Sequence, residues 1–332
     1  MRRIKGLFIL DSHSLDRIYG PEGRRDLEAM VDFVASPQTK ESVVANLGVL
    51  ADVEVIFSGW GAPRMDEAFL AAVPALRAVF YGAGSVHYFT TDAFWARGIV
   101  ISHAASANAV PVSEYTLGAI LFSLKRGWHF AALARAQRAF ADERSVPGGY
   151  GSTVGLISLG QVGRLVRERL RAFDLRVVVY DPFVSAATAR ELGVELRSLD
   201  DLFRESDVVS LHTPWLKETE GMITGAHLAA MKPGSTFINT ARGAVVREGE
   251  MIAVLQRRPD LQAVLDVTHP EPPAPDSPLF TLPNVVLTPH VAGAMGRECR
   301  RMGRCMVEEA QRYLAREPLR WAITREAAAR TA

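Results

Sequence analysis

An arginine, a carboxylate and an imidazole each stand just after a short apolar run. Arg242 follows residues 236–239, Glu271 lies in the loop after residues 263–265, and His290 follows residues 285–287. If these runs are parallel strands, their carboxyl ends open on one crevice. Reduction of a 2-oxo acid needs a hydride for the carbonyl carbon, a proton for its oxygen and a cation for the carboxylate. His290 suits the proton transfer, because an imidazole gives and takes a proton near neutrality. Glu271, if it bonds the distal ring nitrogen, would fix the tautomer. Arg242 offers forked donors that clamp a carboxylate and polarise the adjacent carbonyl.

A hydride carrier has its own signature upstream. The segment Val154-Gly-Leu-Ile-Ser-Leu-Gly-Gln-Val-Gly163, a helical stretch and a second apolar run ending at Asp181 form a dinucleotide-binding βαβ pattern. Gly160 would let the backbone approach a pyrophosphate, and Gly163 would let helix and strand pack closely. The amides near Gln161 and Val162 would face the anion. Asp181 would accept from the adenosine ribose diol and repel a 2′-phosphate, so NAD is expected over NADP. The pattern departs from G-x-G-x-x-G at Ser158, where the glycine of the tight turn is expected. His212, at the end of another run, reads as a cofactor-crevice residue rather than a second base, and Asp266 is expected near the cofactor carboxamide. His13, His103, His129, His227 and His269 join no constellation, and no spacing of His, Cys and Asp suggests a metal.

These residues need a frame. A length of 332 residues points to two domains. Short β-branched runs alternate with helical spacing along most of the chain, the mark of an α/β protein with parallel sheets covered on both faces. The first run, residues 6–10, is read as a buried strand, too short for the core of a secretion signal. Residues 112 to about 140 are read as one long buried helix, with Pro111 in its first turn and another subunit as one candidate cover. Residues 141–152 are read as a loop into a second sheet, and six prolines between 268 and 283 as an extended, stiff loop.

Apolar residues make up 48% and charged residues 23%, which excludes a disordered chain. The formal charge of +1 argues against nucleic acid as a partner. No apolar run approaches the ~18 residues of a membrane span. The two cysteines, Cys299 and Cys305, are expected to be packing thiols in a reducing compartment, so a cytoplasmic location is expected.

At these motifs the sequence resembles the D-isomer-specific 2-hydroxyacid dehydrogenases, including the glyoxylate/hydroxypyruvate reductases. The likeness runs from about residue 77 to 310. It is carried by Asn108-Ala-Val-Pro-Val-Ser-Glu114, the 154–163 segment, Met231-Lys-Pro-Gly234, Asn239-Thr-Ala-Arg-Gly243, Asp266, Glu271-Pro272 and Leu282-Pro-Asn-Val-Val-Leu-Thr-Pro-His-Val-Ala-Gly293. The resemblance implies two Rossmann-like domains, with a cofactor domain at 104–298 inserted in a discontinuous substrate domain at 1–103 and 299–332. It implies NAD(H)-dependent interconversion of a small 2-oxo acid and its D-2-hydroxy acid, in a homodimer, with the roles given above to Arg242, Glu271 and His290. Amides at Ala83 and Gly84 would hold the substrate carboxylate, and Trp60 would face its side chain. Val112, Thr213, Thr240 and Gly293 would line the nicotinamide, with Ala241 among the cofactor residues.

Val86 stands where the family carries an aspartate, and Trp60, Tyr81, His87 and Tyr88 form either a core cluster or an aromatic wall for a substrate. No appended regulatory domain is expected after residue 310. Two other readings fit the same residues: an NAD-binding sensor resembling the corepressors of this fold, and a relative oxidising another donor such as phosphite. Formate-type relatives carry glutamine where Glu271 stands, which argues against formate.

Overall fold

The computed structural model describes residues 3–140, 142, 146 and 148–330. The chain forms two compact units, one of Met1–Asn108 with Ala294–Ala332 and one of Ala109–Gly293.

The first unit is built on five parallel strands: β1 (Ile4–Ile9), β2 (Val31–Phe33), β3 (Val55–Ser58), β4 (Ala78–Tyr81) and β5 (Val100–His103), in the order β2-β1-β3-β4-β5. Alternate residues of β1 feed two cores. Leu7 and Ile9 join Ile56, Val79 and Phe94 on one face, while Phe8 joins Phe57, Phe80, Met302 and Met306 on the other. A strand buried on both faces has no polar side to show, so it reads as a continuous apolar run. The helix Cys299–Leu314 covers the second face with Cys299, Met302, Met306 and Ala310. Its buried Glu309 accepts from Ser102 Oγ at 2.6 Å and from the amides of Arg320 and Trp321 at 3.0 Å, pinning the C-terminal segment beside β5.

The second unit holds seven parallel strands: β6 (Thr153–Ile157), β7 (Arg176–Tyr180), β8 (Glu195–Leu196), β9 (Val208–Leu211), β10 (Thr236–Asn239), β11 (Gln262–Leu265) and β12 (Val285–Leu287). Their order is β12-β11-β10-β9-β6-β7-β8. The register sets Ile157 beside Leu211, Leu211 beside Asn239, Asn239 beside Leu265 and Leu265 beside Leu287, so the strand ends are level. The order reverses between β6 and β9, the place where doubly wound sheets open a ligand crevice.

The expected single helix over 112–140 is two helices, Ala105–Leu124 and Gly127–Gln137. The chain turns at Arg126, whose φ of 49° is left-handed. Gly127 permits the turn, because a Cβ there would lie 2.5 Å from the Phe122 ring. Pro111 lies inside the first helix rather than in its first turn, because the helix begins six residues earlier. Burial holds for much of the first helix, whereas the second has no buried residue in the single chain. Of the loop expected at 141–152, residues 141, 143–145 and 147 lie outside the described residues, and residues 149–151 form bends and turns leading into β6.

Candidate active site

The glycine turn after β6 leads into the helix Gln161–Leu170, with Gly160 as its N-cap. A Cβ on Gly163 would lie 2.2 Å from the Ser158 carbonyl oxygen, so only glycine lets the helix sit this close. The position of a Cβ on Gly160 meets nothing within 4 Å, which leaves room for a ligand against the backbone. Gln161 and Val162 form the first turn of that helix, whose leading amides suit an anion. Ser158 has φ 76°, so the residue that breaks the motif keeps the left-handed turn that favours glycine. Its Oγ lies 2.8 Å from Oγ1 of the buried Thr213.

Asp181 follows β7. It accepts from the Leu159 amide at 2.8 Å and from the Phe183 amide at 2.9 Å, one on each carboxylate oxygen. Each oxygen retains a further acceptor site. Asp181 therefore holds the glycine turn, a bond that sequence spacing gives no sign of.

His212 follows β9, and its amide donates to the Ile157 carbonyl at 2.9 Å across the switch point. Nε2 lies 3.1 Å from Ser210 Oγ, while Nδ1 is buried with no partner among the described residues. Burial pulls the imidazole down to about 4, which keeps it neutral near pH 7. The unfolded chain, with an ordinary value near 6.5, then binds more protons between those limits. The contribution to stability is complete above pH 6.5 and is lost as the pH falls towards 4, in total about 3 kcal/mol. Urea unfolding of His212→Asn should show a shallower acid decline than the parent, and parallel declines would assign the loss elsewhere.

The turn after β10 is folded by one side chain. Asn239 accepts from the Ala241 amide and donates to the Arg242 carbonyl, both at 3.0 Å. A Cβ on Gly243 would lie 2.0 Å from the Thr268 carbonyl carbon, so glycine lets this turn press against the start of the proline-rich loop. Arg242 donates to its neighbour's carbonyl, Ala241 O, at 2.6 Å. Burial lowers the pKa of its guanidinium from the ordinary arginine value, and the charge of Glu271 opposes that shift. Thr240 is buried, with its hydroxyl 3.0 Å from that of Thr116, and Val112 is buried on the same helix as Thr116.

His290 follows β12 with φ 53°, an uncommon backbone state for a non-glycine residue. Its Nδ1 lies 2.6 Å from Glu271 Oε1. A carboxylate can only accept, so Nδ1 carries the proton and Nε2 is left for chemistry. Both side chains are about half exposed. Asp266 is buried and accepts three bonds: from Thr288 Oγ1 at 2.6 Å and from the amides of Val291 and Ala292 at 2.8 Å. The His290 amide also donates to the Asp266 carbonyl at 2.9 Å. Asp266 thus holds the turn that aims His290, a positioning function absent from the sequence reading. Gly293 closes this segment and ends the unit. A cavity of about 620 Å³ lies beside Glu271 and His290, walled in part by Leu279, Phe280 and Leu287.

Trp60, Ala83 and Gly84 belong to the first unit. Trp60 lies under the Arg17 guanidinium, 5.2 Å from its ring centroid. Ala83 is buried, and the Gly84 carbonyl accepts from His103 Nδ1 at 3.0 Å. Val86, 2% exposed, is a core residue packed with Phe89. Tyr81 is also core, while Tyr88 is 52% exposed and meets the Tyr81 hydroxyl at 2.6 Å.

The sequence model for the NAD-binding domain of the D-isomer-specific 2-hydroxyacid dehydrogenases matches residues 117–292. The chain belongs to the D-isomer-specific 2-hydroxyacid dehydrogenases. It is 37% identical over 259 residues to D-3-phosphoglycerate dehydrogenase of Mycobacterium tuberculosis, covering 77% of this chain and 48% of that one. It is 36% identical over 257 residues to (S)-sulfolactate dehydrogenase of Chromohalobacter salexigens, covering 76% and 82%. The chain spans about half the length of the phosphoglycerate dehydrogenase. D-mandelate dehydrogenase of Rhodotorula graminis shares the fold, with a TM-score of 0.83 and 24% identity over 98% of each chain. The expected family and the α/β class with two parallel sheets hold for this 2-hydroxyacid dehydrogenase family member. Its glycine turn, the open space at Gly160 and the unpartnered His212 Nδ1 fit a dinucleotide. Among the described residues no helix is long and apolar enough to cross a membrane, and no group of His, Cys, Asp and Glu could hold a metal ion.

Proposed function

We propose that the protein is an NAD(H)-dependent oxidoreductase that interconverts a small 2-oxo acid and its D-2-hydroxy acid. The observation that carries this reading is the 2.6 Å bond between His290 and Glu271, on the level strand ends that also present Arg242. When bound, the nicotinamide supplies or accepts the hydride at the carbon bearing the oxygen. His290 Nε2 gives a proton to that oxygen in reduction and takes it back in oxidation. Glu271 keeps the ring in the reactive tautomer and stabilises the imidazolium. Arg242 clamps the substrate carboxylate through its fork. Gly160, Gln161, Val162, Gly163 and Asp181 hold the adenosine diphosphate half of the cofactor. Val112, His212, Thr213, Thr240, Ala241, Asp266 and Gly293 line the nicotinamide half.

Two relatives are named for phosphoglycerate and sulfolactate, acids that carry a second anionic group, which supports a small polar substrate. The same reading makes the protein a cytoplasmic homodimer. Exposed Phe122 and Phe140, around a helix with no buried residue, support a covering partner.

The test is loss of NADH absorbance with glyoxylate, hydroxypyruvate, pyruvate, phenylpyruvate and larger 2-oxo acids, with product chirality determined. Turnover to a D-2-hydroxy acid is expected. NADH binding without turnover of any acid would instead favour a nucleotide sensor.

NADH is the preferred cofactor in this reading, because the Asp181 carboxylate repels a 2′-phosphate. Asp181→Ala should lower the ratio of kcat/KM with NADH to kcat/KM with NADPH by about 10-fold or more. Affinity for both should weaken, because the Leu159 amide loses its acceptor. An unchanged ratio would mean that the ribose is read elsewhere.

A further inference from the structure

We propose that Trp215 and His269 are positioning residues for the reacting pair: the contact between their rings anchors the loop that holds Glu271 against His290. The inference rests on the proposed activity and adds two residues to its machinery, both within the unit that carries His290.

The His290–Glu271 bond needs such an anchor. Both side chains are about half exposed, and an exposed pair gains little when each partner must be ordered for it. The His290 end is ordered by Asp266, which grips residues 288, 291 and 292. Glu271 instead stands in the proline-rich loop, with Pro270 before it and Pro272 and Pro273 after it. Each proline fixes one backbone dihedral and restricts the residue ahead of it, so few soft dihedrals separate His269 from Glu271. Whatever orders His269 therefore orders the backbone that carries the carboxylate.

His269 is held from two sides. Its amide donates to Glu248 Oε2 at 3.0 Å, at the start of the helix Glu248–Arg257. Its ring meets that of Trp215 edge to face, with centroids 5.2 Å apart and planes at 64°. The turn after β10 supports the same point, because a Cβ on Gly243 would lie 2.5 Å from the His269 amide nitrogen.

Trp215 is itself fixed. It stands in the turn after β9, where the Thr219 hydroxyl donates to the Pro214 carbonyl at 2.6 Å and accepts from the Leu216 amide at 2.8 Å. The indole N–H donates to Glu220 Oε2 at 3.1 Å. The Gly221 and Ile223 amides donate to the Ala244 and Val245 carbonyls, which joins this segment to the turn after β10. The loops after β9, β10 and β11 thus lock together, and the aromatic contact ties the first to the third. Such a pair prefers a narrow range of geometries, which suits it to setting the place of a loop.

The experiment measures kcat for one 2-oxo acid and KM for NADH in the parent, Trp215→Ala, His269→Ala and the double variant, and repeats the set in a Glu271→Ala background. Loss of the ring contact should lower kcat by on the order of 3- to 10-fold, with KM for NADH nearly unchanged. The double variant should lose no more than either single one, and His269→Phe should recover most of the loss. Without Glu271 the same substitutions should change kcat by less than about 2-fold, because there is no carboxylate left to position. Nitrogen-15 spectra of the histidine-labelled full chain at alkaline pH, with His290→Gln to assign the signal, read the His290 tautomer without turnover. The parent should hold Nδ1–H, and both alanine variants should move the ring towards Nε2–H.

Turnover that neither substitution lowers, with the tautomer unmoved, overturns the inference and leaves the activity standing. Losses of equal size with and without Glu271 also overturn it. A tautomer that depends on the ring contact, in a chain that turns over no acid, upholds the positioning and removes the activity. Neither turnover nor a dependent tautomer removes both.

Discussion

His290→Gln is expected to lower kcat by about 10²- to 10⁴-fold while changing NADH affinity little. Glutamine keeps a polar side chain at the end of β12 but cannot exchange a proton near neutrality. The His290 turn is held by Asp266 through three hydrogen bonds to Thr288, Val291 and Ala292, so the backbone should survive the substitution. The loss therefore reports on chemistry rather than on folding. Glu271→Gln should give a smaller loss, because an amide can still bond the ring at Nδ1 but cannot balance the imidazolium charge. Single-turnover reduction followed by NADH absorbance, beside a fluorescence titration of NADH, separates the two effects. Parent-like turnover in His290→Gln would remove this residue from the mechanism.

Arg242→Ala is expected to lower kcat/KM for the 2-oxo acid by about 10³-fold, with NADH binding nearly intact. Three features support so large an effect. The guanidinium is partly desolvated, which strengthens its attraction for a carboxylate. The Asn239 hydrogen bonds and the close approach of Gly243 to Thr268 fix the turn that carries it. The fork also offers two donors in one plane, which an ammonium cannot match. Arg242→Lys should recover only a minor part of the loss. Steady-state kinetics with one 2-oxo acid decide the matter, and an unchanged kcat/KM would exclude the clamp.

Much of this was legible before any coordinates. The alternation of apolar runs with helical spacing marked parallel sheets, because strands buried on both faces cannot afford polar positions. Gly160 and Gly163 marked the glycine turn, since close approach of helix and strand restricts the residue type. Glu271 and His290, read as following neighbouring runs, meet at 2.6 Å, and Arg242 follows the adjacent strand β10. What escaped was short or irregular. Val31–Phe33 and Glu195–Leu196 are edge strands too brief to show a period, and the break at Arg126 was signalled only by the glycine after it.

Residue type and periodicity act over a few neighbouring positions, so by itself the sequence determined the α/β class, the dinucleotide turn and the identity of the candidate reactive groups. Only the tertiary structure decided which groups hold others in place. Asp266 grips the turn of His290 from about 25 residues away, Asp181 grips Leu159 across 22, and Arg17 reaches sulfurs 278 and 282 residues distant. It also decided that Ser158 keeps the left-handed turn of a glycine. Such bonds depend on which strands become neighbours, and that follows from burying every apolar face at once rather than from any local pattern.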